Sequence, residues 1–257
     1  MIIDAHAHIS KSNLAKPEIL LKDMDLAAID MTILVPGGML DIRKMSDYTT
    51  LREEAEPVDP DNAFVAECIQ KYPERFIGFY CFNPLNLEED LDESFNGLKK
   101  DGFRGVKLAP LVHNISFSDP TIEKIVNCCG EYNMPLYTHV TANQVSSVAA
   151  LATLIKKYPK TKFIIGHMGL GDVDQQAINI ASKFSNVYLE TSLAPLLSLK
   201  LAIKEVGVEK ILFGTEFPLS DVVVELEKIK RLPICESEKN LILSGNISKI
   251  LNIKVKV

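Results

Sequence analysis

Short β-branched or aromatic runs alternate along the whole chain with longer amphipathic stretches whose apolar residues recur at helical spacing. The runs predict strands at Ile2 to His6, Met31 to Val35, Phe76 to Phe82, Gly105 to Ala109, Leu136 to Val140, Phe163 to His167, Val187 to Thr191 and Ile211 to Thr215. Helices are predicted between and after them at Pro17 to Ala28, Asn62 to Tyr72, Glu88 to Lys100, Thr121 to Tyr132, Gln144 to Tyr158, Val173 to Phe184, Leu196 to Val206 and Val222 to Ile229, with a last helix over Ser237 to Leu251. Runs such as Phe163-Ile164-Ile165 and Ile211-Leu212-Phe213 are apolar at consecutive positions, as strands covered on both faces require.

Eight strands alternating with helices predict an α/β fold, a (β/α)₈ TIM barrel. An open doubly wound sheet is the competing arrangement. It calls for a glycine-rich phosphate loop after the first strand, where this chain places His6-Ala7-His8. The length of 257 residues suits one barrel, and no composition shift or linker divides it, so residues 1–257 are expected to form a single domain. The longest connection, Gly37 to about Pro60, follows the second strand and should lie on the active face as a lid or substrate loop, with room for a two-turn helix near Asp47 to Glu54. Its Arg43 and Arg52 could meet an anionic substrate, although arginines of this kind are more often solvated.

Composition narrows the partners. Hydrophobic residues make up 47% and the net charge is -6 without a basic block, so neither nucleic acid nor an anionic membrane surface is an expected partner. No apolar run approaches a bilayer span, and the amino terminus reads as neither leader nor anchor, so a cytoplasmic setting is expected. Five cysteines, with no Cys-x-x-Cys pair, read as buried structural thiols in a reducing compartment. A small-molecule substrate is the expected partner, and a homo-oligomeric assembly is compatible.

The chemistry collects at predicted strand ends. His6 and His8, one residue apart on a strand, point to the same side; His139 and His167 end the fifth and sixth strands. Four imidazoles at equivalent places suit a divalent metal, with zinc the default ion. Lys107 ends the fourth strand and either faces substrate or, carboxylated, bridges two metals. Glu216 follows the eighth strand and can ligate metal or move a proton. The expected metal set is therefore His6, His8, Lys107, His139, His167 and Glu216, holding one or two ions, with Glu216 and His167 as the catalytic pair. His113, in the loop after the fourth strand, is expected at the surface, with substrate contact as the lesser alternative.

These residues resemble the amidohydrolase superfamily, and within it the amidohydrolase-2 branch that includes aminocarboxymuconate semialdehyde decarboxylase. The resemblance runs through Ile3-Asp4-Ala5-His6-Ala7-His8, Tyr72 to Gly78, Arg104 to Leu108, Thr138-His139, Gly166 to Gly169, Asn186 to Ser192 and Phe213 to Pro218. It implies metal ligation by the four histidines and by the carboxylate at 216, where the family pattern has aspartate and this chain has glutamate. It likens Lys107 to the carboxylated lysine of two-metal members and gives Glu190, where this branch commonly has aspartate, either a supporting or a catalytic place. Hydrolysis of an amide, ester or lactone by metal-activated water is the expected reaction; non-oxidative decarboxylation of a small carboxylated substrate is the alternative.

Overall fold

The computed structural model describes residues 1–87 and 90–253. Its one sheet runs β1 (Ile3–Ile9), β2 (Met31–Pro36), β3 (Phe76–Cys81), β4 (Phe103–Leu108), β5 (Leu136–Thr138), β6 (Phe163–Ile165), β7 (Val187–Glu190) and β8 (Ile211–Leu212), each pairing in parallel with the next. The barrel closes from β1 onto the segment after β8. The Ala5 N–H donates to the Phe213 carbonyl at 2.8 Å, and the His8 N–H donates to the Phe217 carbonyl at 2.7 Å.

Outside lie α1 (Pro17–Ala27), α2 (Asn62–Lys71), α3 (Leu91–Lys100), α4 (Pro120–Glu131), α5 (Val148–Lys157), α6 (Gln175–Lys183), α7 (Leu196–Val206) and α8 (Val222–Lys230). Six of them start on a side chain that accepts backbone N–H groups of the first turn: Asp61, Asp90, Asp119, Ser147, Asp174 and Asp221. Such caps contribute about 1 kcal/mol each and fix where each loop of the upper face hands over to its helix.

The core has two layers. Between strands and helices pack Leu34, Leu136, Phe163 and Val187, each fully buried. Inside the barrel sit Ile3, Ala5, Ile33, Ile77, Phe79 and Ile164, with Ile247 and Ile250 joining them from the last segment, Asn246–Leu251. That segment continues directly from Glu236–Asn240 through a π-helical turn at Leu241–Gly245, so the last predicted helix forms as one helix with a π-turn inside it and contributes to the barrel's inner core.

Several predicted boundaries move. β1 runs on to Ile9 and so carries His8 within the strand, whereas β6 and β8 stop before His167 and Thr215. The predicted start of α3 at Glu88 lies outside the described residues. The long connection holds a 3₁₀ turn at Ile42–Lys44 and a helix at Met45–Thr49, short of the expected Glu54. Its arginines turn to neighbours within the loop: Arg43 makes two hydrogen bonds to Asp41, at 2.9 and 2.7 Å, and Arg52 pairs with Asp47 at 3.0 Å. His113 is not at the surface. It ends a short helix, Pro110–His113, and its Nε2–H donates to the Val58 carbonyl at 3.1 Å, tying the long loop to the barrel. Four cysteines are buried, Cys235 is exposed, and none is bonded to another.

Candidate metal centre and active site

Plain alternation would not bring both histidines of β1 into the barrel. Ile3 and Ala5 already point inward, so His6 and His8 should face out. Instead Ala7 and Ile9 join the outer layer, because the pairing with β2 shifts register between Asp4 and Ala7. This bulge re-aims the strand end. Asp4 secures it: its carboxylate accepts the His6 N–H at 3.0 Å, the Thr215 N–H at 2.9 Å and the Thr215 hydroxyl at 2.7 Å. Burial pushes the Asp4 carboxyl up to about 8, against the pull of those donors.

The structure gathers the predicted residues at the mouth. Glu216 lies 2.8 Å from His6, 3.3 Å from His8 and 3.8 Å from His167, measured from carboxylate oxygen to imidazole Nε2. The rings of His139 and His167 stack at 4.5 Å, and His139 meets His6 edge-on at 5.5 Å. Two triads can each offer ligand atoms within 4.8 Å of one another: His6, His8 and Glu216; and His139, His167 and Glu216. Lys107 stands beside them. Its Nζ donates to His139 Nε2 at 3.0 Å and sits 4.1 Å above the Tyr137 ring.

Second contacts orient these ligands. His8 Nδ1–H donates to the Pro36 carbonyl at 3.1 Å, and His167 Nδ1 meets the carbonyl and hydroxyl of Ser192 at 3.1 and 3.0 Å, which leaves both Nε2 atoms turned to Glu216. Ser192 is held in turn by Glu190, which accepts its N–H and its hydroxyl and also the Tyr137 hydroxyl at 2.8 Å. Gly214 is required here, because a Cβ at that position would collide with the Glu190 carboxylate. His167 and Glu216 both adopt φ of 56°, a left-handed conformation that costs non-glycine residues about 1–3 kcal/mol and recurs at functional sites.

Electrostatics favour neutral imidazoles. Burial, with Lys107 nearby, holds His6 and His139 well below the usual histidine range. Burial opposes ionisation of Glu216, and positive charge on the facing imidazoles of His6, His167 and His8 draws its carboxyl low, so the cluster holds its protons as a coupled unit. The ammonium of Lys107 is brought down to about 8 by burial. Both ring nitrogens of His6 and Glu216 Oε2 are buried, and beyond the 2.8 Å approach of Nε2 to Oε2 none of them has a partner. Unsatisfied buried groups cost about 1–3 kcal/mol each. A carboxylate and imidazoles converging on one point are a donor set that fits a divalent cation.

Above the cluster opens a cavity of about 820 Å³. Its floor contains His8, Lys107, His139, His167 and Glu216, and its walls are mostly aliphatic. Asp4, Tyr137 and Ser192 were absent from the residues expected from sequence. Tyr137 was legible, since it lies two positions before His139 in the predicted fifth strand, Leu136 to Val140, and so on the same side; Asp4 and Ser192 act through contacts that no spacing encodes.

Several known proteins of this shape are decarboxylases, and some are solved with manganese. A γ-resorcylate decarboxylase of Polaromonas sp. (strain JS666) is 24% identical over 268 aligned residues, covering 82% of this chain and 80% of its own. The crystal structure of 2,6-dihydroxybenzoate decarboxylase from Rhizobium has a TM-score of 0.72 at 16% identity, with 98% of each chain covered. A dihydroxybenzoic acid decarboxylase from Polaromonas sp. JS666, solved with manganese and the inhibitor 2-nitroresorcinol, has a TM-score of 0.72 at 18% identity, covering 98% of this chain and 97% of its own.

These findings correct the expected reaction. The relatives are decarboxylases, so hydrolysis of an amide, ester or lactone does not stand as the reading of this chain. Imidazoles and a carboxylate at strand ends specify metal chemistry and leave open which bond breaks, which is why the sequence pattern pointed to the wrong reaction. The amidohydrolase family profile matches residues 3–253, and this chain belongs to that family, as an enzyme of the amidohydrolase superfamily.

Proposed function

We propose that the protein is a divalent-metal-dependent, non-oxidative decarboxylase of a small aromatic carboxylic acid. The observation that carries this reading is the placement of one lysine, Lys107, beside the imidazole–carboxylate cluster at the floor of a cavity whose walls are mostly aliphatic. A carboxylate fits that floor, and the aliphatic walls favour its conversion to neutral carbon dioxide by excluding water from the charge that is lost.

His6, His8, His139, His167 and Glu216 would hold the cation, with manganese ahead of the default zinc because a solved relative carries it. When bound, the ion supplies a Lewis acid that orients the substrate oxygens and draws charge from the ring. Lys107 is read as an ammonium. Its position over the Tyr137 ring and against His139 suits a cation and a donor, and would set the acceptor oxygens of a carbamate against a ring face. The ammonium steers the substrate carboxylate to the floor. The C–CO₂ bond breaks, its electron pair stays on the ring carbon, and a proton taken up from solvent is relayed to that carbon by the Glu216–His167 pair, whose polar atoms lie 3.8 Å apart.

The test is manganese-reconstituted protein assayed against hydroxybenzoates for carbon dioxide release, with the product recovered from heavy water. Release that chelator abolishes, with one deuterium on the ring carbon, supports the reading. No release from any hydroxy-substituted aromatic acid by metal-loaded protein overturns it.

A further inference from the structure

The cavity is larger and greasier than one hydroxylated ring needs. Its volume of about 820 Å³ lies near the top of the range that encloses drug-sized ligands. Five large aliphatic side chains that line it are also 40 to 66% exposed: Leu14, Ile42, Leu170, Leu193 and Leu219. Contiguous apolar surface around a cavity mouth marks a binding site.

Charge is distributed the opposite way. Lys107 is the only lysine or arginine among the described lining residues, and it sits on the floor. Arg43, next in sequence to the lining residue Ile42, is bound by both oxygens of Asp41. The other charged side chains on the walls, Asp23 and Asp221, are acidic. A second anionic group on the substrate, a phosphate or a distal carboxylate, would meet carboxylates and leucines with no cation to receive it.

We propose that the substrate is a monoanionic aromatic acid bearing an apolar extension, an alkyl or aryl group of several carbons, which lies along Leu14, Met39, Ile42, Met45 and Leu193. The proposal rests on the carboxylate-at-the-floor reading and adds what occupies the upper cavity. The acid group meets Lys107 below, and the extension covers the leucine rim that would otherwise face water.

The test is isothermal titration of the manganese-loaded protein with benzoates carrying straight 4-alkyl chains from methyl to hexyl, alongside the same series on a Leu14→Glu, Ile42→Glu double variant. Both positions are more than half exposed, so the substitutions leave the core intact. Affinity should rise up to about fourfold per methylene, the transfer free energy of one CH₂ group, with an increasingly negative heat-capacity change. The double variant should flatten that slope. Affinity that ignores or declines with chain length, or a slope the double variant leaves untouched, overturns the proposal, as does tighter binding of a dicarboxylate than of the matching monoacid. Tail-dependent binding without carbon dioxide release from any acid would leave this inference standing and remove the decarboxylase reading; release from unsubstituted rings with no tail dependence would do the reverse.

Discussion

Tyr137 lies flat against His6, with ring centroids 4.1 Å apart and planes within 21°. The same phenol donates to Glu190, so one side chain both supports a ligand's ring and feeds the carboxylate that holds Ser192 behind His167.

Replacing Tyr137 with Phe keeps the stack and removes the donor. Stability should fall by about 1–2 kcal/mol, read from the urea midpoint of metal-free protein, because a buried carboxylate loses one of its partners. Tyr137→Leu, which also removes the flat support, should weaken manganese binding further than Tyr137→Phe. Equal metal affinity in the two variants would show that the stack does not orient His6.

Glu216→Asp separates backbone from reach. Aspartate tolerates the left-handed conformation at this position better than glutamate, so metal-free protein should melt at the same temperature or slightly higher. The shorter side chain draws the carboxylate away from His6 and His8, and manganese affinity should drop at least tenfold in a competition titration. Unchanged affinity would mean that the extra methylene of this chain has no part in ligation.

Lys107→Met trades function for stability. Burial lowers the folded-state pKa to about 8, below the ordinary lysine value, so at pH 7 the folded chain carries a charge that it resists. Stability held back by that charge is recovered as pH rises from about 8 to the unfolded value, and the methionine variant should be the more stable of the two at pH 7, by calorimetry on metal-free protein. Its affinity for aromatic carboxylates should fall at least tenfold. A destabilised variant would contradict the buried-charge account.

His113 predicts a response to acid. Burial lowers its pKa, so below the unfolded value near 6.5 the unfolded chain takes up a proton that the folded chain refuses. Its contribution is present above that value and is lost as pH falls. His113→Gln, whose amide can still donate to the Val58 carbonyl but does not titrate, should show a smaller loss of melting temperature between pH 7.5 and 5. Limited proteolysis across the loop from Gly37 to Pro60 reads the same change locally, with faster cutting of wild type at low pH.

The chain's own pattern determined the barrel, since a parallel sheet buried on both faces demands consecutive apolar residues and a helix after every strand, and both are written in the order of residues. It also placed His6, His8, Lys107, His139, His167 and Glu216 near strand ends, where a barrel's topology alone brings them within reach of one another. Tertiary structure decided the rest. The bulge that turns His6 and His8 inward exists because Asp4 bonds to Thr215, 211 positions away. The burial of His113 depends on Val58, 55 positions away, and the aliphatic cavity on side chains from many separate loops. Such contacts are set by how distant segments pack, and local periodicity carries no record of them.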